Sequence, residues 1–241
     1  MLLARGVAGT HIIALGGSLL RAEEKENLER WFSGLKRMVA HLESLGESIG
    51  IVVGGGAPAR EGISIARSQI SDERRLDEVG IAATRLNATI IQQVLSQAGI
   101  DVSPDIPRTL PQAAQLLAEH SVVCMGGTVP GHTTDAVAVG LAVISGASVC
   151  IIATNVSHVY DSDPMSNPNA QPFDSMTLQG LAHICGVGEP LAAGASAVVD
   201  PVAVQRAIDG SLALAVVDGR HIERLEKVIL GVDFEGTSIN P

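Results

Sequence analysis

Three short glycine runs, Gly16-Gly17-Ser18, Gly54-Gly55-Gly56 and Gly126-Gly127-Thr128, each follow an apolar stretch of strand length. Glycine at such a place permits positive φ and close backbone approach, so that N–H groups can wrap an anion. A segment of helical periodicity follows each run and would add the positive end of its dipole. Pro58 suits the first turn of the second such helix, and Arg60 lies in that turn. A single cluster is what any tight turn needs. Three at equivalent places point to a site for several phosphates, more than one mononucleotide half-site requires. No Gly-x-x-x-x-Gly-Lys-Ser/Thr run occurs, so the chain is not a P-loop enzyme.

The third cluster continues as Thr128-Val129-Pro130-Gly131-His132-Thr133-Thr134-Asp135-Ala136. Thr133 and Thr134 offer hydroxyls and an N-cap, and Asp135 falls in the first helical turn. A carboxylate there is favourable to the helix dipole on its own account. Beside an anion site it also needs a cation, from a side chain or from Mg²⁺ bridging to phosphate oxygens. A further strand ends in Thr154-Asn155, followed by Tyr160 (the only tyrosine) and by Asp163-Pro164. In a plain loop these are an anchor and a turn; at a ligand edge the same residues could hold a nucleoside.

Elements must carry these groups to one edge. Apolar runs at residues 12–15, 49–53, 122–125, 149–153 and 213–217 read as strands. Amphipathic segments at 25–45, from Pro58 onward, at 77–98 and at 134–145 read as helices between them. Strands without polar alternation are covered on both faces, as in a doubly wound parallel sheet. The prediction is one α/β domain over residues 1–241, an open three-layer sandwich around a largely parallel sheet. Residues 162–172 read as a surface loop, and the Gly-rich stretch 186–194 as mobile.

Composition narrows the function classes. Of 241 residues, 46% are hydrophobic and only 17% charged, which excludes a disordered chain. Aromatics at 2% leave almost no stacking platform for single-stranded nucleic acid, and a net charge of -10 opposes a phosphate-backbone binder. No apolar run approaches the ~20 residues of a membrane span. Cys124, Cys150 and Cys185 are far apart and lack metal-ligand spacing, so they read as buried thiols in a reducing compartment. The expectation is a soluble, cytoplasmic protein with neither nucleic-acid nor membrane partners.

The ordered set of motifs resembles the amino acid kinase superfamily, in its archaeal uridylate kinase type. It comprises Gly16-Gly17-Ser18, Gly54-Gly55-Gly56 with Ala59-Arg60, Asp77 with Gly80-Ile81, and Thr84-Arg85-Leu86-Asn87-Ala88. The run from Gly126 to Ala136, Thr154-Asn155 with Tyr160 and Asp163, Asp200-Pro201, and a closing segment at 236–241 complete it. The resemblance implies transfer of the ATP γ-phosphoryl group to UMP with Mg²⁺, in a homohexamer. It implies that Gly17, Ser18, Gly56 and Arg60 contact ATP phosphates, while Thr154, Asn155, Tyr160 and Asp163 hold its base and ribose. Gly55, Asp77 and the stretch Thr128, Val129, Pro130, Gly131, His132, Thr133 and Thr134 would hold UMP. Asp77 is alternatively an N-cap for the long helix. Asp135 and Arg60 are the expected catalytic groups, and no metal-ligand set is assigned.

Two departures stand out. The first-strand lysine of many relatives is Ala14, and the lysine expected five residues after Asp200 is Gln205. Only Lys25, Lys36 and Lys227 exist, none in a motif, leaving Arg60, Arg206 and His132 as possible substitutes. Ser157-His158 replaces the usual Asp-Gly, and His158 reads as a solvated loop residue. A lysine restored at Gln205 is expected to meet Asp135 and raise turnover. Two other functions stay open: a kinase of this fold acting on another small acceptor, and a non-catalytic nucleotide-binding or storage relative.

Overall fold

The β-branched and aliphatic runs become strands, and the periodic segments between them become the helices that cover both faces of the sheet. The computed structural model describes residues 9–20, 24–164, 166–188 and 198–241. In chain order the first half holds β1 (Thr10–Leu15), α1 (Lys25–Ser44), β2 (Ser48–Val53), α2 (Gly56–Arg67), α3 (Glu73–Gln97), α4 (Leu110–Glu119) and β3 (Val122–Met125). Next come α5 (Thr134–Ser145), β4 (Val149–Thr154), β5 (Val159–Tyr160), β6 (Pro172–Phe173), β7 (Ser175–Thr177) and α6 (Leu178–Cys185). The chain closes with α7 (Pro201–Asp209), β8 (Ala213–Asp218), α8 (Ile222–Ile229) and β9 (Thr237–Asn240).

The main sheet runs β3-β2-β1-β4-β8-β9-β7. Its first five strands are mutually parallel, β9 is antiparallel to β8, and β7 is parallel to β9. Successive residues of each strand face opposite layers. Ile12 and Ala14 join α4, α5, α6 and α7 in one core, while Ile13 and Leu15 join α1, α3 and α8 in the other. This is the three-layer arrangement expected from strands with no polar alternation. α5 lies deepest, with Ala136 through Ala142 all buried, which accounts for a helix that is apolar all round.

α3 departs from its reading in two ways. It begins four residues before Asp77, and Asp72 is its cap, accepting the Arg74 amide at 3.0 Å. The apolar stripe that marks it as a helix is also not the face it buries. Leu86 and Ile90 are 55% and 40% exposed, whereas Ala88, Ile91 and Leu95 sit in the core with the polar Thr84, Asn87 and Gln92. The stretch 162–172 is a loop closed by the β5–β6 hairpin, with the Gln171 amide donating to Asp161 at 2.9 Å. Residues 189–194 of the second Gly-rich stretch lie outside the described residues. The three cysteines are free and buried, and burial pushes the Cys124 thiol up to about 12. Among the described residues no helix is long and apolar enough to cross a membrane.

Candidate active site

β1 lies between β2 and β4, so the chain's path reverses across the sheet beside it, and the carboxyl ends of these strands form the crevice where open α/β sheets bind ligands. The first two glycine clusters meet there. The Gly54 amide donates to the Leu15 carbonyl at 2.8 Å, and the Gly16 amide to the Ala153 carbonyl at 2.9 Å. A Cβ on Gly17 would stand 2.3 Å from the Gly56 nitrogen, and one on Gly56, whose φ is +57°, would stand 2.2 Å from the Gly17 oxygen. Close packing of two strand ends therefore demands glycine at both positions, ligand or no ligand. The amides remain available all the same. α2 has no side-chain N-cap, and first-turn N–H groups have no partner inside their helix. Gly17, Gly56 and the start of α2 thus meet at one point, as an anion site requires.

α3 holds the residues expected to face the acceptor. Thr84 and Asn87, one turn apart, are buried polar residues. The Thr84 hydroxyl accepts the Gly127 amide at 2.7 Å while donating to the Ile81 carbonyl at 2.6 Å. A Cβ on Gly126 would come within 2.4 Å of that hydroxyl oxygen. Asn87 donates from Nδ2 to the carbonyls of Gly54 and Gly55, at 2.8 and 3.1 Å. Thr84 and Asn87 had appeared only as motif letters; the signal was polar residues at helical spacing on a face that must be buried. Asp77 sits inside α3, not at its cap, and its Oδ2 accepts the Gly131 amide at 2.7 Å. Gly55, Asp77 and the 128–134 loop are thereby brought together.

Thr133 caps α5, accepting the Ala136 amide at 3.2 Å. Asp135 follows in the first turn and faces Asp200, the residue that caps α7 through the Val202 and Ala203 amides at 2.6 and 3.1 Å. Burial, reinforced by the Asp200 charge and offset in part by its backbone amide, raises the Asp135 carboxyl to about 6. Among the described residues no cationic side chain contributes to this shift. Ala14 is buried in the core beneath α5. Gln205 is exposed on α7 and donates to Asp209 at 2.8 Å, one turn along the same helix. Arg206 spends Nη1 on the Ala136 carbonyl at 2.6 Å. Arg60 and His132 are exposed.

The residues expected to hold the nucleoside are carried by β4 and β5, with β8 alongside. Thr154 and Asn155 leave β4 beside Gly16, whose Cβ would lie 3.9 Å from the Thr154 Cα. Arg220 donates to the Asn155 carbonyl at 3.2 Å and grips the buried Asp218 with both ends of its guanidinium, at 2.8 and 2.6 Å. Burial pushes the Asp218 carboxyl up, but the Arg220 pair outweighs it and holds the group below its ordinary range. Tyr160 is half-buried, its hydroxyl 2.9 Å from Ser157 Oγ. Asp163 caps the next turn, where Ser166 donates to its carboxylate at 3.0 Å. His158 is not solvated: only 12% of its side chain is exposed, and it lies edge-on to Tyr160. A cavity of about 540 Å³ opens beside Ser18, Asn155 and Arg220, against α1 and the start of α8.

Comparison with known proteins agrees with this geometry. The model of the Amino acid kinase family matches residues 9–218. A uridylate kinase of Methanococcus maripaludis strain C5 is 37% identical over 233 residues, covering 95% of this chain and 99% of its own length. That of Methanocaldococcus jannaschii is 37% identical over 228 residues, covering 93% and 99%. The crystal structure of uridylate kinase from Archaeoglobus fulgidus superposes with a TM-score of 0.81 at 34% identity, over 95% of this chain and 99% of that one. UMP kinase from Bacillus anthracis, at 22% identity and a TM-score of 0.76, shares the fold over 96% of each chain. The chain belongs to the amino acid kinase family, and its relatives at this identity and coverage are archaeal uridylate kinases.

Proposed function

We propose that the protein transfers the γ-phosphoryl group of ATP to UMP, giving UDP and ADP, a step of pyrimidine nucleotide synthesis in the cytoplasm. The observation that carries this reading is the hydrogen bond from the Gly131 amide to Asp77, which ties α3 to the 128–134 loop. Gly17, Ser18, Gly56 and Arg60 bind the ATP phosphates, and Thr154, Asn155, Tyr160 and Asp163 its nucleoside. Phosphoryl transfer is mostly positioning plus neutralisation of charge on the moving group. Mg²⁺ bound with ATP would supply part of that neutralisation, and the hard oxygens of Asp135 and Asp200 suit it, with phosphate and water completing the set. Backbone amides at the glycine clusters and the guanidinium of Arg60 supply the rest. A screen of nucleoside monophosphates and small acids with ATP and Mg²⁺ tests this. UDP formation with UMP as the preferred acceptor is expected; tight binding of both nucleotides without UDP would establish a non-catalytic binder.

A second copy of the chain covers the α2–α3 face. α2 buries no residue within the chain, and Ile65 on it is 77% exposed. Light scattering is expected to give a homohexamer, and Ile65→Glu to lower its mass.

A further inference from the structure

Arg85 lies on α3 next to Thr84, and its Nη2 reaches the carbonyls of Gly127 and Thr128 at 3.3 and 3.5 Å. These are long contacts from one shared donor, yet they fall on successive peptide groups. In a trans peptide the C=O of one residue and the N–H of the next point opposite ways. Drawing the Gly127 and Thr128 carbonyls toward α3 therefore turns the Thr128 and Val129 amides away from it. Among the described residues neither amide meets an acceptor. The Gly127 amide, in contrast, is already held by Thr84.

The guanidinium is costly where it stands. Its Nε is buried without a partner, and among the described residues no carboxylate pairs with it. Burial and the neighbouring Arg108 push its pKa below the ordinary value. A side chain of similar length without charge would fill the space and strand no donor. Stability thus gives no reason for an arginine here, while contact with the acceptor loop does.

We propose that Arg85 is a positioning residue of the acceptor site: it fixes two successive carbonyls of the 127–128 backbone and so presents the Thr128 and Val129 amides as a pair of donors to the acceptor's anionic group. This rests on the acceptor reading of the 128–134 loop.

The test compares the full-length protein with Arg85→Met and Arg85→Ala. Arg85→Met is expected to melt no lower than wild type while raising the KM for UMP roughly tenfold, the equivalent of one charge-assisted hydrogen bond. The KM for ATP should stay within about twofold of wild type, a split that general loosening would not give. Guanidinium ion should restore part of the UMP affinity of Arg85→Ala. The backbone amide chemical shifts of Thr128 and Val129, measured by NMR without nucleotide, should move in both variants while those around β4 and β8 stay in place. Equal rises in both KM values, or unchanged shifts at the two amides, would overturn the proposal. Should calorimetry find no UMP binding to wild type, the acceptor reading fails, while the chemical shifts still decide whether Arg85 sets the loop.

Discussion

Asp135→Asn should make the folded protein more stable and the enzyme inactive. The carboxyl is raised from 3.8 to about 6 by burial and by Asp200, a shift of 6 - 3.8 = 2.2. At ~1.36 kcal/mol per unit, ionised Asp135 costs the fold about 3 kcal/mol above its folded pKa. The sign follows from proton binding. Between about pH 4 and pH 6 the folded chain holds a proton that the unfolded chain has released, so stability from this group is full below the unfolded pKa and lost as pH rises through about 6. A neutral asparagine of the same shape removes that loss. For a domain of this size ~3 kcal/mol corresponds to roughly 6–12 °C in melting temperature. Thermal unfolding followed by circular dichroism, near pH 8 and near pH 4.5, should show the variant ahead at the higher pH and its lead cut to about a third at the lower one. Turnover with UMP should fall ~100-fold or more, because on the proposed reading a carboxylate that would hold Mg²⁺ is lost. A variant no more stable than wild type near pH 8, or a gap that does not shrink near pH 4.5, would refute the argument. The first result would mean that a cation neutralises Asp135 in the folded chain.

Asp77→Asn should weaken UMP binding roughly tenfold in calorimetry and leave ATP affinity unchanged. Asp72→Ala, which removes the actual cap of α3, should cost about 1 kcal/mol of stability with little effect on the affinity ratio. Arg60 is exposed at the start of α2, so Arg60→Ala should raise the KM for ATP and lower turnover while the melting temperature stays put. Gln205→Lys should leave steady-state turnover within about twofold of wild type, because the new ammonium pairs with Asp209 at one helical turn.

Much of this site is legible before folding because parallel strands place their carboxyl ends on one edge, and glycine, threonine and aspartate at those ends are visible as letters. Thr133 as a cap and Asp135 in the first turn follow from local rules alone. What does not follow is any contact between segments far apart in sequence. Asp77 meets Gly131 across 54 positions, and no local rule separates that role from a helix cap. The cap alternative failed because a second aspartate, Asp72, stands five residues earlier. The Gln205 contact with Asp209 was likewise not legible, because the direction of a side chain on α7 depends on which face the helix buries. His158 was misread as solvated because the β5–β6 hairpin that covers it is two residues per strand, too short to leave a periodic signal.

On the proposed reading, the division of labour between the two ligands follows from which element supports each loop. α3 alone supplies Asp77 to the Gly131 amide, Thr84 to the Gly127 amide, Arg85 to the next two carbonyls and Asn87 to Gly54 and Gly55. The donor side instead leans on strand neighbours, with Gly16 bonded to Ala153, Gly219 to Thr154 and Arg220 to Asn155. The first two glycine clusters link the sides through backbone contact at Gly17 and Gly56 that leaves no room for a Cβ. Substitutions on α3 that spare this contact should therefore act on acceptor binding, and those around β4 and β8 on ATP. A side chain at Gly17 or Gly56 would separate two strand ends and so disturb both at once, whatever its chemistry. Gly131 offers the contrast: its φ of +83° strains any side chain, but a Cβ there would meet no atom within 4 Å. Gly131→Ala should accordingly disturb the Asp77 hydrogen bond and UMP binding, and leave the ATP half of the crevice as it is.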